Sequence, residues 1–216
     1  VKTTGDGSST LYVPQWDEHY HSIHGAIQES QHVFIRNGLD AYTFSRGKNL
    51  IRILEIGMGT GLNVLLSMDY AKEKKLSIYY EAVEYYPLLK DEYQLLEYKK
   101  FKNYLNIHES PFDEIITLDE TFVLKKKKIK IEEYLGENNF FDIIYYDAFA
   151  PSAQPELWTE EVFNAMYQCL CENGIFVTYC AKGEVKRRLR NVGFTVEALP
   201  GPLGKREMTK ATKLML

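Results

Sequence analysis

Three glycines at alternate positions, set between a run of branched apolar side chains and a helical period, leave this chain few folds to adopt. Residues 51–56, IRILEI, read as a buried strand ended by glycine. Gly57, Gly59 and Gly61 follow, and glycine both reaches positive φ and leaves no Cβ in the way of a ligand. From residue 62 to 74 the pattern turns helical, with Leu62, Leu65, Leu66 and Tyr70 at three- and four-residue spacings. Strand, glycine turn and helix form a nucleotide-binding corner, in which backbone N–H groups at the helix start face the ligand. The spacing is G-x-G-x-G, with Glu55 two residues ahead of the first glycine. A dinucleotide fingerprint needs G-x-G-x-x-G, and Leu62 stands where its third glycine belongs; a P-loop needs Gly-Lys-Ser/Thr, which is absent. The alternative is a tight turn between strand and helix with no ligand, against which three spaced glycines count because they weaken a helix start.

The remaining chain supplies alternating strands and helices. Residues 77–83 read as a second strand closed by Glu84, which lies 23 residues past Gly61, the distance one intervening helix requires. An acid at that strand end either grips both ribose hydroxyls of a nucleoside or is a surface residue of the strand end. Pro87 starts a helix over 88–99, residues 104–108 suggest a short third strand, and 129–135, IKIEEYL, a further strand entering a helical turn. The lysine run at 125–128 reads as a solvated hairpin tip. Residues 140–146, FFDIIYY, form a near-continuous apolar run suited to the centre of a parallel sheet. They end at Asp147, which the crevice rule for such sheets directs towards the glycine turn. A helix over 159–171 with Thr159 as N-cap, a strand over 174–180, a helix to 191, a strand over 194–199 and an antiparallel return over 205–216 complete the order. Ahead of the glycine turn, Pro14 limits a strand at 10–13 to an edge, and a helix over 23–37 stops near Gly38. The expected architecture is α/β, a Rossmann-like doubly wound and mostly parallel sheet with an antiparallel last strand. Its 216 residues fit one domain, with 1–49 as a small N-terminal extension and 50–216 as the core.

Composition narrows the setting. No stretch approaches about 18 uncharged apolar residues, so no membrane span is expected. The N-terminus lacks a basic-then-apolar leader, and Cys169, Cys171 and Cys180 fall in apolar surroundings as free thiols, which together imply a cytoplasmic protein. His19, His21 and His24 lack the spacing of metal ligands, and no metal is expected. The net charge of −4 argues against a general polyanion binder, yet residues 182–216 hold nine Lys/Arg against three Glu. That segment is either a face that steers nucleic acid to one side or a solvated helix face.

The acid-x-Gly-x-Gly-x-Gly turn resembles the first motif of class I S-adenosylmethionine-dependent methyltransferases. With Glu84 in AVEYYP and the signature YDAFAPSAQPELW over 146–158, the chain also resembles a narrower family. This is the methyltransferase domain of the bifunctional bacterial enzyme that completes 5-methylaminomethyl-2-thiouridine at the tRNA wobble position. Residues 21–34, HSIHGAIQESQHVF, resemble its N-terminal motif and residues 204–208, GKREM, its C-terminal one. The resemblance covers nearly the whole chain. At 216 residues there is no room for the flavin oxidase half, so a stand-alone form is expected, with a monomer as the favoured state.

The resemblance implies S-adenosyl-L-methionine as cofactor, held by Glu55, Gly57, Met58, Gly59, Thr60, Gly61, Asn63 and Glu84. It implies a tRNA anticodon loop as partner and the primary amine of 5-aminomethyl(-2-thio)uridine as methyl acceptor. Asp147 then becomes the catalytic residue, orienting the amine and taking its proton. Phe149 either stacks on a splayed uracil or packs in the core, and Pro151, Lys205 and Arg206 complete the substrate contacts, the last two on phosphate or in orienting the loop. One position departs: where the family places an acid to read adenine, Lys130 stands, so that Glu132 or Glu133 takes the role or backbone alone holds the base. Two other enzymatic readings stay open, an aminopropyltransferase of polyamine-synthase type and a small-molecule amine N-methyltransferase. The third is a non-catalytic tRNA-binding module.

Overall fold

The computed structural model describes residues 1–215, the side chain of Arg46 excepted; Leu216, the end of the expected last strand, lies outside them. Two short antiparallel ribbons come first, Lys2–Thr3 with Ser9–Thr10 and Tyr12–Val13 with Glu18–His19. A helical segment, α1, follows in three parts: an α turn at Ala26–Ser30, a π-helical stretch at Gln31–Asp40 and an α turn at Ala41–Arg46. It runs straight through the stop expected at Gly38. A Cβ there would sit 3.1 Å from the Tyr145 ring and 3.2 Å from Val177, so this glycine brings the helix down onto the sheet instead of ending it.

The sheet has eight strands: β1 (Leu50–Ile56), β2 (Ser77–Val83), β3 (Ile115–Asp119), β4 (Phe122–Lys127), β5 (Phe141–Tyr146), β6 (Leu170–Thr178), β7 (Thr195–Pro200) and β8 (Glu207–Thr212). Their order is β7-β8-β6-β5-β1-β2-β4-β3. β4, β2, β1, β5 and β6 are parallel; β8 lies antiparallel between β6 and β7, and β3 is an antiparallel edge on β4. The antiparallel return expected at the C-terminus is therefore present, as strand β8.

The helices between the strands are α2 (Leu62–Lys74), α3 (Lys90–Tyr93), α4 (Tyr104–Glu109), α5 (Glu160–Cys169) and α6 (Gly183–Val192). All six residues of β5 are buried. Ile143 and Tyr145 pack on one face with α1 and α2, while Ile144 and Tyr146 pack on the other with α5 and α6. Each such side chain taken from water contributes about 1.5–3 kcal/mol, which is why this run sits at the centre. Thr159 caps α5 as expected, its hydroxyl accepting from the Val162 N–H at 3.3 Å.

The least regular stretch of sequence departs most from expectation. The helix expected over 88–99 shrinks to α3 and a 3-10 turn at Glu97–Lys100. Residues 104–108 form helix α4 and not a strand, because Tyr104 and Ile107, three apart, are the pair that is buried. The lysine run is no hairpin tip. Lys125, Lys126 and Lys127 belong to β4, where Phe122, Leu124 and Lys126 alternate inwards. The Lys126 ammonium lies over the Phe112 ring and donates to the His108 carbonyl at 2.7 Å, at the carbonyl end of α4. Its apolar stem fills an inward position while its head finds a carbonyl. Finally, residues 129–135 give only a 3-10 turn, Ile131–Glu133.

Candidate active site

Strand register brings the site together. Ile56 at the end of β1 pairs with Tyr146 of β5 on one side and Val83 of β2 on the other. The residues that follow, Gly57, Asp147 and Glu84, therefore leave the sheet at one level. The Asp147 N–H donates to the Ile56 carbonyl and the Gly57 N–H to the Val83 carbonyl, both at 2.9 Å. Gly57 has φ +86, and a Cβ there would lie 2.7 Å from the Asp147 carbonyl oxygen. Only glycine permits that approach. Above this crest opens a cavity of about 550 Å³, a volume typical of small-molecule sites. Its walls are the glycine turn, Glu84 to Tyr86, residues 129–132, Asp147 to Ala150, and the N-terminal segment from Trp16 to Ile23.

Asp147 lines the cavity with its carboxylate held from below. The Asn63 amide nitrogen, in the first turn of α2, lies 2.9 Å from Asp147 Oδ2 and 2.9 Å from Glu55 Oε1. Burial pushes the Asp147 carboxyl up to about 7, with Glu29 adding and Asn63 and Lys205 offsetting. Glu55 is fully buried, and that burial holds its carboxyl well above the ordinary range, against the Asn63 hydrogen bond. Glu55 and Asn63 thus stand beneath the cavity and support Asp147; neither lines it.

The other expected cofactor residues divide similarly. Gly57, Gly59 and Glu84 line the cavity, whereas Met58, Thr60 and Gly61 are buried behind it. Glu84 accepts from the Gly59 N–H at 3.0 Å and from the Tyr86 N–H at 2.8 Å, which ties the glycine turn to the end of β2. Burial raises its carboxyl. Thr60 is pinned twice: its hydroxyl lies 2.6 Å from His21 Nε2 and its carbonyl 3.0 Å from His108 Nε2. Burial pushes both imidazoles down to about 4, so both are neutral near pH 7. His21 therefore serves as a strut of the turn. Among the described residues no group of three His, Cys, Asp or Glu is arranged to hold a metal.

Of the expected substrate residues, Phe149 lines the cavity between Trp16 and Tyr20, with ring centroids 4.9 Å from each. Lys205 also faces inwards. Its ammonium lies 2.5 Å from Glu29 Oε1 and 3.9 Å above the Tyr179 ring. Pro151 is buried outside the cavity lining, and Arg206 is exposed. At the departing position, Lys130 and Glu132 both line the cavity, with Lys130 Nζ 5.3 Å from the Tyr85 ring centroid, while Glu133 does not. No sequence signal marks Tyr20, Tyr179 or His108 as site residues, and Glu29 carries none of its own. Glu29 sits inside the motif at 21–34, but nothing in its spacing ties it to Lys205 in the loop between β7 and β8.

The basic C-terminal segment is largely paired. Lys186 meets Glu207, Lys210 meets Glu197, Lys213 donates to the Tyr167 and Leu170 carbonyls, and Arg188 donates to the Trp158 carbonyl. Lys182, Arg187, Arg190 and Arg206 are exposed.

Comparison with known proteins places this geometry. The chain is 31% identical over 213 residues to the tRNA 5-methylaminomethyl-2-thiouridine biosynthesis bifunctional protein MnmC of Marinomonas sp. (strain MWYL1), covering 90% of this chain and 31% of that protein. It is 30% identical over 215 residues to the MnmC of Idiomarina loihiensis, covering 89% and 35%. The chain thus spans about a third of the length of these curated relatives. Among solved structures, MNMC2 from Aquifex aeolicus superposes with a TM-score of 0.79 at 28% identity, covering 99% of this chain and 70% of that one. Spermidine synthase from Thermotoga maritima shares the fold alone, with a TM-score of 0.60 at 18% identity, covering 95% and 69%. The family described as S-adenosyl-L-methionine-dependent methyltransferase matches residues 82–214, from the end of β2 past the end of β8. On that match and the crest geometry around Gly57, Glu84 and Asp147, the chain belongs to this family of S-adenosyl-L-methionine-dependent methyltransferases.

Proposed function

We propose that the protein methylates the primary amine of 5-aminomethyl(-2-thio)uridine at the wobble position of tRNA, giving 5-methylaminomethyl(-2-thio)uridine. The observation that carries this reading is the Asp147 carboxyl. It is a proton acceptor pushed up to about 7, on the wall of a cavity beyond the carboxyl ends of the strands. The relatives named for 5-methylaminomethyl-2-thiouridine biosynthesis align over about nine-tenths of this chain, which supports the choice of substrate.

The cavity suits S-adenosylmethionine. Gly57 and Gly59 bring bare backbone to it, the Glu84 carboxylate stands at the ribose position, and Val83, Tyr85, Ile129 and Ile131 offer an apolar slot for adenine. S-adenosylmethionine supplies a methyl group on a sulfonium, already electrophilic, so the protein has to position a neutral amine in line and accept its proton. Asp147 takes that role, oriented by Asn63 from below. Its raised pKa makes it a better base near neutrality than an ordinary aspartate. Glu55 acts through Asn63 and not by touching the cofactor. Phe149 is backed by Trp16 and Tyr20, which leaves it stiff enough to form one wall of a base-sized slot. Arg206 meets phosphate from the rim. Residues 1–49 act as part of one methyltransferase unit, closing the cavity through Trp16 to Ile23.

The test is direct. Purified protein, S-adenosylmethionine and tRNA carrying 5-aminomethyluridine should yield, after digestion, a wobble nucleoside one methyl heavier, while tRNA with unmodified uridine should not. Methylation elsewhere on the tRNA, or of small amines only, overturns the reading.

A further inference from the structure

Glu29 and Asp147 both face the cavity, and two carboxylates are an excellent trap for an ammonium ion. A primary alkylamine resembles lysine, with a pKa of about 10.4, and arrives protonated near neutral pH. Paired with two carboxylates it would stay so, because opposite charges within a few ångströms favour the charged form. A protonated amine has no lone pair with which to accept a methyl group.

One of the two carboxylates, however, already has a partner on each oxygen. Glu29 Oε1 lies 2.5 Å from Lys205 Nζ, and Glu29 Oε2 accepts the Ser22 N–H at 2.7 Å. The Lys205 ammonium also rests 3.9 Å above the Tyr179 ring, whose hydroxyl donates to the Ala148 carbonyl at 2.9 Å. Lys205 is thus fixed from below by an aromatic face and from the side by α1, in the wall that also holds Asp147. We infer that Lys205 is an internal surrogate for the substrate ammonium: it occupies Glu29, so that the incoming amine meets Asp147 alone and can react unprotonated. The inference rests on the proposed amine acceptor.

The surrounding groups are consistent with this. From the N-terminal segment come His21, which burial keeps neutral near pH 7, and Glu18; Glu29 comes from α1, Asp147 from behind β5, and the Tyr179 phenol and Cys180 thiol from behind β6. Burial pushes both Tyr179 and Cys180 up, so neither adds charge near neutrality. Arg206, next along the loop, is exposed. Glu18, Glu84, Glu132, Glu156 and Lys130 line the same cavity, but the Lys205 ammonium is bonded to Glu29, so of the two carboxylates Glu29 is neutralised by Lys205 and Asp147 is left to act. In the reaction the nitrogen lone pair forms the bond to the methyl carbon and the sulfur–carbon bond breaks with its pair left on sulfur. The surplus proton on nitrogen passes to Asp147 or water.

Lys205→Met is the test, with Lys205→Arg as the conservative control. Without the surrogate, Glu29 is free to pair with the ammonium. In the absence of cofactor, Lys205→Met should bind aminomethyluridine-containing tRNA at least as tightly as wild type at about pH 6. Its single-turnover methylation at about pH 7 should fall tenfold or more, recover towards wild type at high pH, and have its rising limb displaced upwards by about one unit. Lys205→Arg should keep the wild-type limb. The same displacement should persist in the Asp147→Asn background, where no carboxyl titrates at that position. A uniform loss at every pH, a loss of tRNA binding, or a displacement that vanishes with Asp147→Asn would overturn the inference. Failure of the wild-type protein to methylate the amine would instead remove the reading beneath it.

Discussion

Replacing Asp147 by asparagine should make the protein more stable while impairing it. The carboxyl of Asp147 is raised by burial from 3.8 to about 7. A group whose folded pKa lies above its unfolded value contributes stability that is complete below the unfolded pKa and lost as pH rises through the folded one. Asp147 therefore costs nothing near pH 4 and its full amount above about pH 7. Three units correspond to about 4 kcal/mol at 1.36 kcal/mol per unit. Because Asp147 is partly open to the cavity, solvent screening reduces this to about 2–3 kcal/mol. Asparagine carries no charge to bury and keeps an oxygen that accepts from Asn63, so the wild-type loss should be absent. In paired denaturant titrations the variant should match wild type near pH 4 and exceed it by about 2–3 kcal/mol near pH 8, or about 4–12 °C in midpoint temperature for a chain of this size. The other titrating groups cancel in the difference. A difference that does not change with pH would mean that Asp147 titrates as an ordinary carboxylate, and the argument for it as a base near neutrality would fail.

Three further outcomes follow from the site. Glu84→Ala removes the carboxylate at the end of β2 and should weaken S-adenosylmethionine binding by about 1.5–3 kcal/mol in calorimetry; undiminished binding would move the ribose contact elsewhere. At Gly59 (φ +48) a Cβ would meet the Tyr20 ring at 2.7 Å, so Gly59→Val should push Tyr20 aside and abolish cofactor binding in a protein that still melts cooperatively. Arg206→Ala should weaken tRNA binding and lower its salt dependence by about one unit of slope, and an unchanged slope would take Arg206 off the RNA.

What the sequence made legible follows from how local its signals are. The strand–glycine–helix corner, β2 closing at Glu84, and β5 ending at Asp147 all announce themselves within a few residues. Parallel register then puts Gly57, Glu84 and Asp147 on one crest. The segment from 88 to 135 was hard to read because its elements are short and held by tertiary partners. Lys126 is polar by type yet fills an inward position of β4, and α4 has only Tyr104 and Ile107 to mark its period. Glu55 and Asn63 were legible as motif positions, but not that the Asn63 amide bonds to both Glu55 and Asp147 instead of facing a ligand. Glu29 and Lys205 are 176 residues apart, and no spacing rule connects them; only the folded chain does.

If Asp147 positions and deprotonates the acceptor amine, its loss must show in single-turnover methyl transfer to aminomethyluridine-containing tRNA. Asp147→Ala should bind S-adenosylmethionine within a few-fold of wild type yet transfer its methyl group about 10²-fold or more slowly, the range of a positioned acid–base group. Asp147→Asn should fall between the two, since it retains an acceptor oxygen without the charge. An Asp147→Ala protein that folds stably, binds cofactor normally and transfers at nearly the wild-type rate would contradict the account.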